Sequence, residues 1–448
     1  MLNRFAAILL VALMLITCIL SGCSTQSAES PVAPTESAAE KTTLSVYMVD
    51  TDALFVDAVH SFRKQAQDIT LNVTSFTTCQ AMLDAVKEAA LTDGGPDVLL
   101  YNSNSMQGEV DGYTLAKSGM FLPLDQFSEQ LDPVVYPKAL MDAGHIAGAQ
   151  YFIPFSYNLL YAYTSQRLMT IKGYSTSGDL YQMLRKESES LKAVSHKSPV
   201  SMQVFRLDPV NAFFDAAGVT LFDKNTGEIT ADKAEVEEIC RFVKLVYDNM
   251  EKTATLKRKV ATDFSSATAS FSFFIENYAF LNEIRYYQSL FPAKAGSPMV
   301  AMPYHKLNDP QSLCASIVCF GGVSAKTKAP EQAFELLKFL LDYSVQTDWA
   351  RGQLTYEYHA PVSLAVYQEA INHLSANAGA GGIEITPLNT QNTEFLMANT
   401  QKITSAVIAN TSLGVRLEEA FTPYFLAQDS FDNCYHVFLR ELQQYLSE

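Results

Sequence analysis

Beyond residue 42 the chain opens with three strand-like segments separated by two segments of helical periodicity. Residues 43–49 and 69–76 are rich in β-branched and apolar residues, and residues 97–101 (DVLLY) are almost continuously apolar, as buried parallel strands are. Residues 53–67 and 82–91 place apolar side chains along one helical stripe. Strand–helix–strand–helix–strand with short connections predicts a parallel α/β sheet.

Polar residues follow two of these strands at the point where each strand ends. Asp50 and Asp52 come after the first strand, and Asn102 and Asn104 come after the third. Ligands of open parallel sheets bind beyond the carboxyl ends of the strands, so the pattern predicts that these four residues contact a ligand. Asp and Asn also follow strands because they form turns and cap helices, and that explanation stays open for each residue.

The N-terminal segment has the build of a secretory signal. Arg4 provides a positive start, residues 5–20 are almost wholly apolar, and Leu20-Ser-Gly-Cys23 places small residues before a cysteine. The pattern resembles a bacterial lipoprotein signal, in which residues 1–22 are removed and Cys23 becomes the lipid-bearing N-terminus. An ordinary signal peptide with an incidental cysteine and an uncleaved membrane anchor are the alternatives.

The segment after Cys23 has the composition of a tether. Residues 24–41 are mostly Ser, Ala, Pro, Thr and Glu, and Val32 is their one large apolar residue. Such a segment cannot bury enough surface to offset its ordering entropy, so residues 23–42 are predicted to form a flexible linker. A lipid, a spacer and a globular body together predict a protein anchored at the extracytoplasmic face of the cell membrane.

Length and charge restrict the function classes. The chain has 448 residues, 48% of them apolar, and a formal net charge of −16. That length suits two lobes better than a single core. The acidic charge argues against nucleic acid and anionic lipid headgroups as partners. No apolar run after the signal is long enough to cross a bilayer, so transport itself would require other subunits.

The cysteines left after the signal and the lipidated position do not form a disulfide framework, since their number is odd and their spacing irregular. They are Cys79, Cys240, Cys314, Cys319 and Cys434. Buried free thiols are favoured at Cys314 and Cys319, which lie on one apolar run. A disulfide at one pair stays open.

The second half of the chain alternates between helical and strand-like segments. Residues 230–252 form the clearest amphipathic helix, with Asp232 and Glu235 placed to cap its start. Residues 313–323 are strand-like, and Pro330 stands at the favoured first position of a further helix.

Four stretches in this order resemble a known family. They are residues 94–98 (GGPDV) with 118–125 (SGMFLPLD), residues 151–161, residues 321–340 and residues 360–362 (APV). Their order and spacing are similar to those of the extracellular solute-binding proteins of family 1, the substrate-capturing lipoproteins of ABC importers for sugars. The resemblance covers most of residues 43–448. It departs at Tyr161-Ala-Tyr163, where the family usually has two tyrosines followed by Asn and Lys.

The resemblance implies an α/β fold of the two-lobe periplasmic-binding-protein type (class II), with hinge segments and a cleft between the lobes. Closure of such lobes around a ligand needs only more contacts in the closed state. The predicted domains are residues 1–22 (signal), 23–42 (linker), 43–155 (lobe 1, first part), 156–295 (lobe 2, first part), 296–345 (lobe 1, return segment) and 346–448 (lobe 2 with C-terminal helices). Residues 152–163 are the first hinge candidate.

The resemblance also indicates residues that line the cleft. Glu276 and Asn277 correspond to a family segment after an apolar strand, where a ligand-facing group is common, although Asn277 is also placed to cap a helix. Tyr157 and Asn158 lie on the crossing segment, where holding the hinge by backbone hydrogen bonds is the alternative role. Arg285 would matter for an acidic ligand, but a solvated or paired surface position is favoured.

Aromatic residues supply the faces that a sugar ring requires. Sugars present flat C–H faces and many hydroxyls, so their sites need aromatic platforms and polar acceptors. Trp349 is the only tryptophan, and Tyr356 and Tyr358 share one face of an extended stretch, so these three residues are candidates. Packing in the core or between the lobes is the alternative for Trp349.

Catalytic and metal-binding motifs are not found. The seven histidines show no metal-ligand spacing, and no Gly-x-Ser-x-Gly elbow or phosphate-binding loop occurs. The sequence therefore predicts a monomeric, non-enzymatic receptor without cofactor or metal that passes a carbohydrate or similar polar solute to ABC-transporter permease subunits. A lipid-anchored glycan hydrolase and a sensory accessory protein for a membrane kinase are the alternatives.

Substitution of the single tryptophan tests the stacking role. Trp349→Ala is expected to weaken sugar binding by about 1–3 kcal/mol, because the ring face that packs on the sugar is lost. Calorimetric titration of both proteins with the same sugar measures the difference. An unchanged affinity would remove Trp349 from the site.

Overall fold

The computed structural model describes the chain from Lys41 to Glu448 with gaps. The described residues are 41–49, 53–90, 94–102, 111–175, 180–183, 185–186, 209–249, 274–276, 284–285, 287–289, 291–292, 296–352, 360–372, 377–378 and 384–448. The predicted signal and Cys23 lie outside them, and so does all of the predicted linker except its last two residues.

A five-stranded sheet contains the predicted opening strands. These are β1 (Thr42–Val49), β2 (Ile69–Phe76) and β3 (Val98–Asn102), with helices α1 (Ala53–Gln65) and α2 (Cys79–Ala90) between them. Strand β1 pairs in parallel with both β2 and β3. With β6 (Ile153–Pro154) and β12 (Cys319–Val323), the strand order is β2-β1-β3-β12-β6. The parallel α/β arrangement predicted from the sequence is confirmed.

Two strands from later in the chain complete this sheet. They are β6 (Ile153–Pro154) and β12 (Cys319–Val323). Strand β12 lies antiparallel between β3 and β6, with Cys319 opposite Asn102 and Phe320 opposite Pro154. The chain therefore leaves the sheet after β6 and returns to its interior much later.

The other strands form separate sheets. A four-stranded sheet has the order β13-β7-β11-β16, and a three-stranded antiparallel sheet has the order β10-β8-β9. Strands β4 and β5 form a separate two-stranded sheet, and so do β14 and β15. The bounds are β4 His145–Ile146, β5 Ala149–Gln150, β7 Ser156–Asn158, β8 Tyr161–Ser165, β9 Phe274–Glu276, β10 Met299–Pro303, β11 Leu313–Ile317, β13 Ala360–Pro361, β14 Asn377–Ala378, β15 Glu384–Ile385 and β16 Ile403–Ile408.

Helices make up most of the remaining structure, and their ends follow local capping chemistry. Asp232 accepts hydrogen bonds from the backbone N–H groups of Ala234 and Glu235 and so begins α8, as predicted. Pro330 opens α9. The later helices are α3 Gly112–Lys117, α4 Asp125–Ser128, α5 Lys138–Met141 with a 3-10 turn at Asp142–Gly144, α6 Gln166–Lys172, α7 Pro209–Ala217, α8 Lys233–Asn249, α9 Pro330–Leu340, α10 Tyr343–Gly352, α11 Leu364–Asn372, α12 Thr390–Thr400, α13 Thr411–Phe425 and α14 Phe431–Ser447. Across the described residues, every helix is too short or too polar to span a bilayer.

Two glycines of β12 allow close packing at the centre of the five-stranded sheet. A Cβ at Gly322 would lie 2.6 Å from a ring carbon of Phe121, and one at Gly321 would lie 2.9 Å from a methyl carbon of Leu100. The aromatic rings of Phe121 and Phe152 therefore pack directly on the strand, in edge-to-face contact with centroids 4.9 Å apart.

The five cysteines of the body are all buried, and none is paired in a disulfide. Burial raises the thiol pKa of Cys240 and Cys314, the latter to about 11, which keeps both in the unreactive protonated form at neutral pH. This arrangement supports the free-thiol interpretation.

Candidate functional site

The carboxyl ends of three strands meet at one edge of the five-stranded sheet. Strands β1, β3 and β6 run in the same direction, because β12 is antiparallel to both β3 and β6. The strands end at Val49, Asn102 and Pro154, and β12 begins beside them at Cys319. This is the edge at which open α/β sheets bind ligands.

The chain passes between the five-stranded and the four-stranded sheet at the same edge. It leaves through Phe155, between β6 and β7, and returns through Val318, between β11 and β12. We call these two connections the crossing. Phe155 N–H donates to the Cys319 carbonyl at 2.7 Å, and Val318 N–H donates to the Ser156 carbonyl at 2.9 Å. The Cys319 N–H donates to Ser156 Oγ at 3.1 Å. The two connections are thus bonded to each other.

A third segment joins the crossing from α10. Strand β13 pairs with β7, with Ala360 opposite Tyr157, and Val362 N–H donates to the Phe155 carbonyl at 3.1 Å. The Gln346 side chain, fully buried in α10, donates to the same carbonyl at 3.4 Å. The backbone of Phe155 therefore links both sheets and α10, and residues 152–163, the predicted hinge, do cross between the sheets.

Three of the predicted ligand residues lie on either side of Val318. Asn102 is opposite Cys319, whereas Tyr157 is opposite Ile317 and Asn158 is opposite Ser316. All three are buried, with side chains at most 5% exposed. The burial of Tyr157 and Asn158 within a strand fits the structural role that the sequence left open for them. Contact of these residues with a ligand stays a prediction.

The other predicted ligand residues are placed only in part. Glu276 ends β9, with its backbone opposite Tyr161, and Trp349 lies within α10. Asp50, Asp52, Asn104, Asn277, Tyr356 and Tyr358 lie outside the described residues. Their ligand roles stay predictions.

Tyr101 is a candidate that the sequence reasoning missed. Its ring is fully buried at the end of β3 and stacks on Phe320, with centroids 5.0 Å apart and planes within 10°. Its hydroxyl has no hydrogen-bond partner among the described residues, and burial raises its pKa. A buried hydroxyl without a partner is costly, so it is expected to bind water or ligand. The sequence signal that could have identified Tyr101 is its position directly before Asn102, the polar residue at the end of the strand.

Arg285 contradicts its predicted surface position. Its side chain is fully buried, and Nε donates to the Thr386 carbonyl at 3.1 Å. Burial lowers the pKa of the guanidinium. The sequence prediction was wrong because the covering segment, from Thr386 onward, is a hundred residues away in sequence.

Within the described part of the chain, no group of three or more His, Cys, Asp or Glu side chains is placed to hold a metal ion. The observed geometry instead consists of a sheet edge, buried aromatic and amide groups, and a hydrogen-bonded crossing.

Comparison with known proteins decides the family. Residues 57–378 match the sequence profile of the bacterial extracellular solute-binding proteins. The chain belongs to this family. The solute-binding protein matches no curated protein in sequence.

Solved structures show the same fold at low sequence identity. The sugar-binding protein MalE of Xanthomonas citri is 12% identical with a TM-score of 0.62, over 90% of this chain and 97% of that one. An ABC substrate-binding protein of Listeria monocytogenes, in complex with cycloalternan, is 13% identical with a TM-score of 0.59. The match covers 90% of this chain and 99% of the Listeria protein. The cyclic α-maltosyl-1,6-maltose binding protein of Arthrobacter globiformis is 13% identical with a TM-score of 0.60. The match covers 91% of this chain and 99% of the Arthrobacter protein. The predicted two-lobe, class II fold is confirmed.

Removal of one hydroxyl tests the bonding of the crossing. Ser156→Ala is expected to lower the free energy of unfolding by about 1–3 kcal/mol, because the buried Cys319 N–H loses its acceptor. Urea unfolding followed by circular dichroism measures the change. Ser447→Ala, which removes an exposed hydroxyl from the last helix, is the control and should change stability far less. Equal stability of the two variants would contradict the role of Ser156.

Proposed function

We propose that this solute-binding protein captures a carbohydrate between its two lobes and delivers it to the permease subunits of an ABC transporter. Membership of the extracellular solute-binding family carries the proposal. The named ligands of similar structures support the ligand class, since those proteins bind cycloalternan and a cyclic maltosyl-maltose. The location follows from the same membership, because the family acts outside the cytoplasm.

The chemistry at the sheet edge suits a sugar. The unpartnered Tyr101 hydroxyl and the Asn102 amide lie at the end of β3, on the strand that pairs with β12. Hydroxyl and amide groups are hydrogen-bonding partners that sugar hydroxyls require. Asp50 and Asp52, which continue from the neighbouring strand β1, would add carboxylate acceptors.

Strand pairing supports lobe boundaries at the crossing. The first lobe would contain the five-stranded sheet, and the second lobe the four-stranded and three-stranded sheets, divided at Phe155 and Val318. Strand β10 pairs with β8, and β11 pairs with β7 and β16, so the return to lobe 1 is better placed at Val318 than at residue 296. Bending at these connections would close the lobes on the solute and later release it unchanged.

Thermal melting with a sugar panel tests the ligand class. A sugar that binds only the folded chain raises its stability by about 2.7 kcal/mol at a hundred times its Kd, so one member of a panel of cyclic and linear oligosaccharides should raise Tm. Peptides of similar mass serve as the control panel. A shift with peptides alone would remove carbohydrate from the proposal.

The fate of the bound sugar separates a receptor from a glycan hydrolase. Chromatography of the sugar after prolonged incubation with the purified protein should return it intact. Shortened products would establish the hydrolase in place of the receptor.

We also propose that lipid on Cys23 anchors the protein to the membrane, on the basis of the small residues that precede this cysteine. Cys23→Ala is expected to abolish incorporation of labelled palmitate and to move the protein from the detergent phase to the aqueous phase on phase partitioning. Cys18→Ala, within the signal, is the matched control and should leave both properties unchanged. Retention of the label in Cys23→Ala would contradict the anchor.

A further inference from the structure

A cavity of about 630 Å³ lies between α7, the loop that follows it, α3 and strand β16. That volume is within the range of small-molecule sites. Among the residues that line the cavity, none belongs to the residues predicted for the solute site, to Tyr101 or to the crossing. The cavity is therefore lined by a different set of residues from the proposed carbohydrate site.

Polar and apolar residues share the cavity wall almost equally, and the apolar part contains three aromatic rings. Tyr113 and Phe222 line it and contact each other edge to face, with centroids 4.7 Å apart, and Phe214 and Leu413 add further apolar surface. The loop from α7 is held in place by backbone contacts, since Ala147 N–H donates to the Lys224 carbonyl at 2.9 Å. The wall thus offers a well-supported apolar surface for the body of a ligand.

Asp215 lines this cavity, and its carboxyl has no partner among the described residues. It lies in the last turn of α7, where the helix dipole disfavours negative charge. Among the described residues its carboxylate makes no hydrogen bond and no ion pair, and burial raises its pKa to about 7. The residue is half-buried and lines the cavity. A carboxyl group with no hydrogen-bond partner, placed where its ionised form is destabilised, is typical of a functional site.

The other charged groups around the cavity do not neutralise Asp215. The Lys224 ammonium donates to the Asp142 carbonyl at 2.6 Å. The side-chain carbons of Lys306 lie beside Gly218, and neither lysine forms an ion pair with Asp215. The remaining titratable groups that line the cavity are Tyr113, Asp223, Glu235 and Cys314. The lining therefore contains three carboxyl groups and one lysine, whose ammonium is already hydrogen-bonded to the Asp142 carbonyl. The resulting net negative charge favours binding of a cation.

We propose that this cavity binds a small organic cation, a protonated amine with an apolar or aromatic body, whose ammonium group pairs with the carboxylate of Asp215. The aromatic wall of Tyr113, Phe214 and Phe222 would hold the body, with additional attraction between the cation and the ring faces. The lining residues differ from those predicted to contact the carbohydrate, and the amine proposal does not depend on the carbohydrate proposal.

Calorimetric titration with benzylamine tests the proposal. At pH 8 benzylamine should bind the wild-type protein at least tenfold more tightly than benzyl alcohol, its uncharged analogue of similar shape. Asp215→Asn should weaken benzylamine binding at least tenfold, while Asp57→Asn, which makes the same charge change on an exposed face of α1, should leave it unchanged. Equal affinity for amine and alcohol, or an Asp215→Asn variant that binds as wild type does, would overturn the proposal.

The pH dependence provides an independent measurement. Only the ionised carboxyl pairs with an ammonium, so affinity should fall about tenfold from pH 8 to pH 6 around a pKa of about 7. Asp215→Asn should abolish this dependence and should melt at least as high as wild type at pH 8, since it removes an unpaired charge. A variant that melts lower would show that the carboxylate has a structural partner, and the proposal would fail.

Competition distinguishes this site from the carbohydrate site. An oligosaccharide that raises Tm should do so equally in Asp215→Asn and should not displace benzylamine. Displacement, together with loss of the sugar shift in the variant, would mean that the cavity is the solute site itself. Absence of any sugar shift would contradict only the proposed function, because the amine titration is read separately.

Discussion

The hydrogen bonds of the crossing are the constraint on which the arrangement of the molecule depends. Ser156 accepts from Val318 through its carbonyl and from Cys319 through its hydroxyl, and Phe155 donates back to the Cys319 carbonyl. These bonds are buried, where an unmade hydrogen bond costs the full desolvation of its groups. The two connections therefore hold a fixed register with each other, and the five-stranded and four-stranded sheets are joined by a short, defined segment.

That register also determines which residues meet at the strand ends. Because Cys319 lies opposite Asn102, the crossing begins at the carboxyl end of β3, next to the stacked rings of Tyr101 and Phe320. A ligand at this edge would contact the end of the first lobe and the start of the connections to the second. Under the proposed function, binding and lobe closure would be coupled, since bending at Phe155 or Val318 would displace groups within a few residues of the proposed site.

Local patterns predicted much of the first lobe. The strands and helices from Thr42 to Asn102 pair with near neighbours in the chain, so periodicity and turn residues were sufficient. The sequence also predicted one strand-like run over residues 313–323, but the structure divides it at Val318 into two strands of different sheets. Nothing local marks that division, because β12 enters the sheet by pairing with β3 and β6 from far earlier in the chain.

The candidate site was predicted less completely for the same reason. Polarity at strand ends pointed to Asn102, but the adjacent Tyr101 looks like a core residue until the unpartnered hydroxyl is seen. Arg285 shows the converse, since a charged residue that looks exposed in sequence is covered by the distant segment at Thr386. Burial of single polar groups depends on tertiary contacts, which composition and spacing do not contain.

Asp215 shows how such a group affects stability as well as binding. Its folded-state pKa of about 7 lies above that of an unfolded aspartate, so the folded chain holds this proton more strongly. The stability that it contributes is complete below the unfolded pKa, near 4, and is lost as pH rises through about 7. At neutral and higher pH the ionised carboxyl therefore opposes folding. A cation bound in the cavity would lower the pKa again and offset that cost, since a ligand that favours the charged form of the folded state stabilises it.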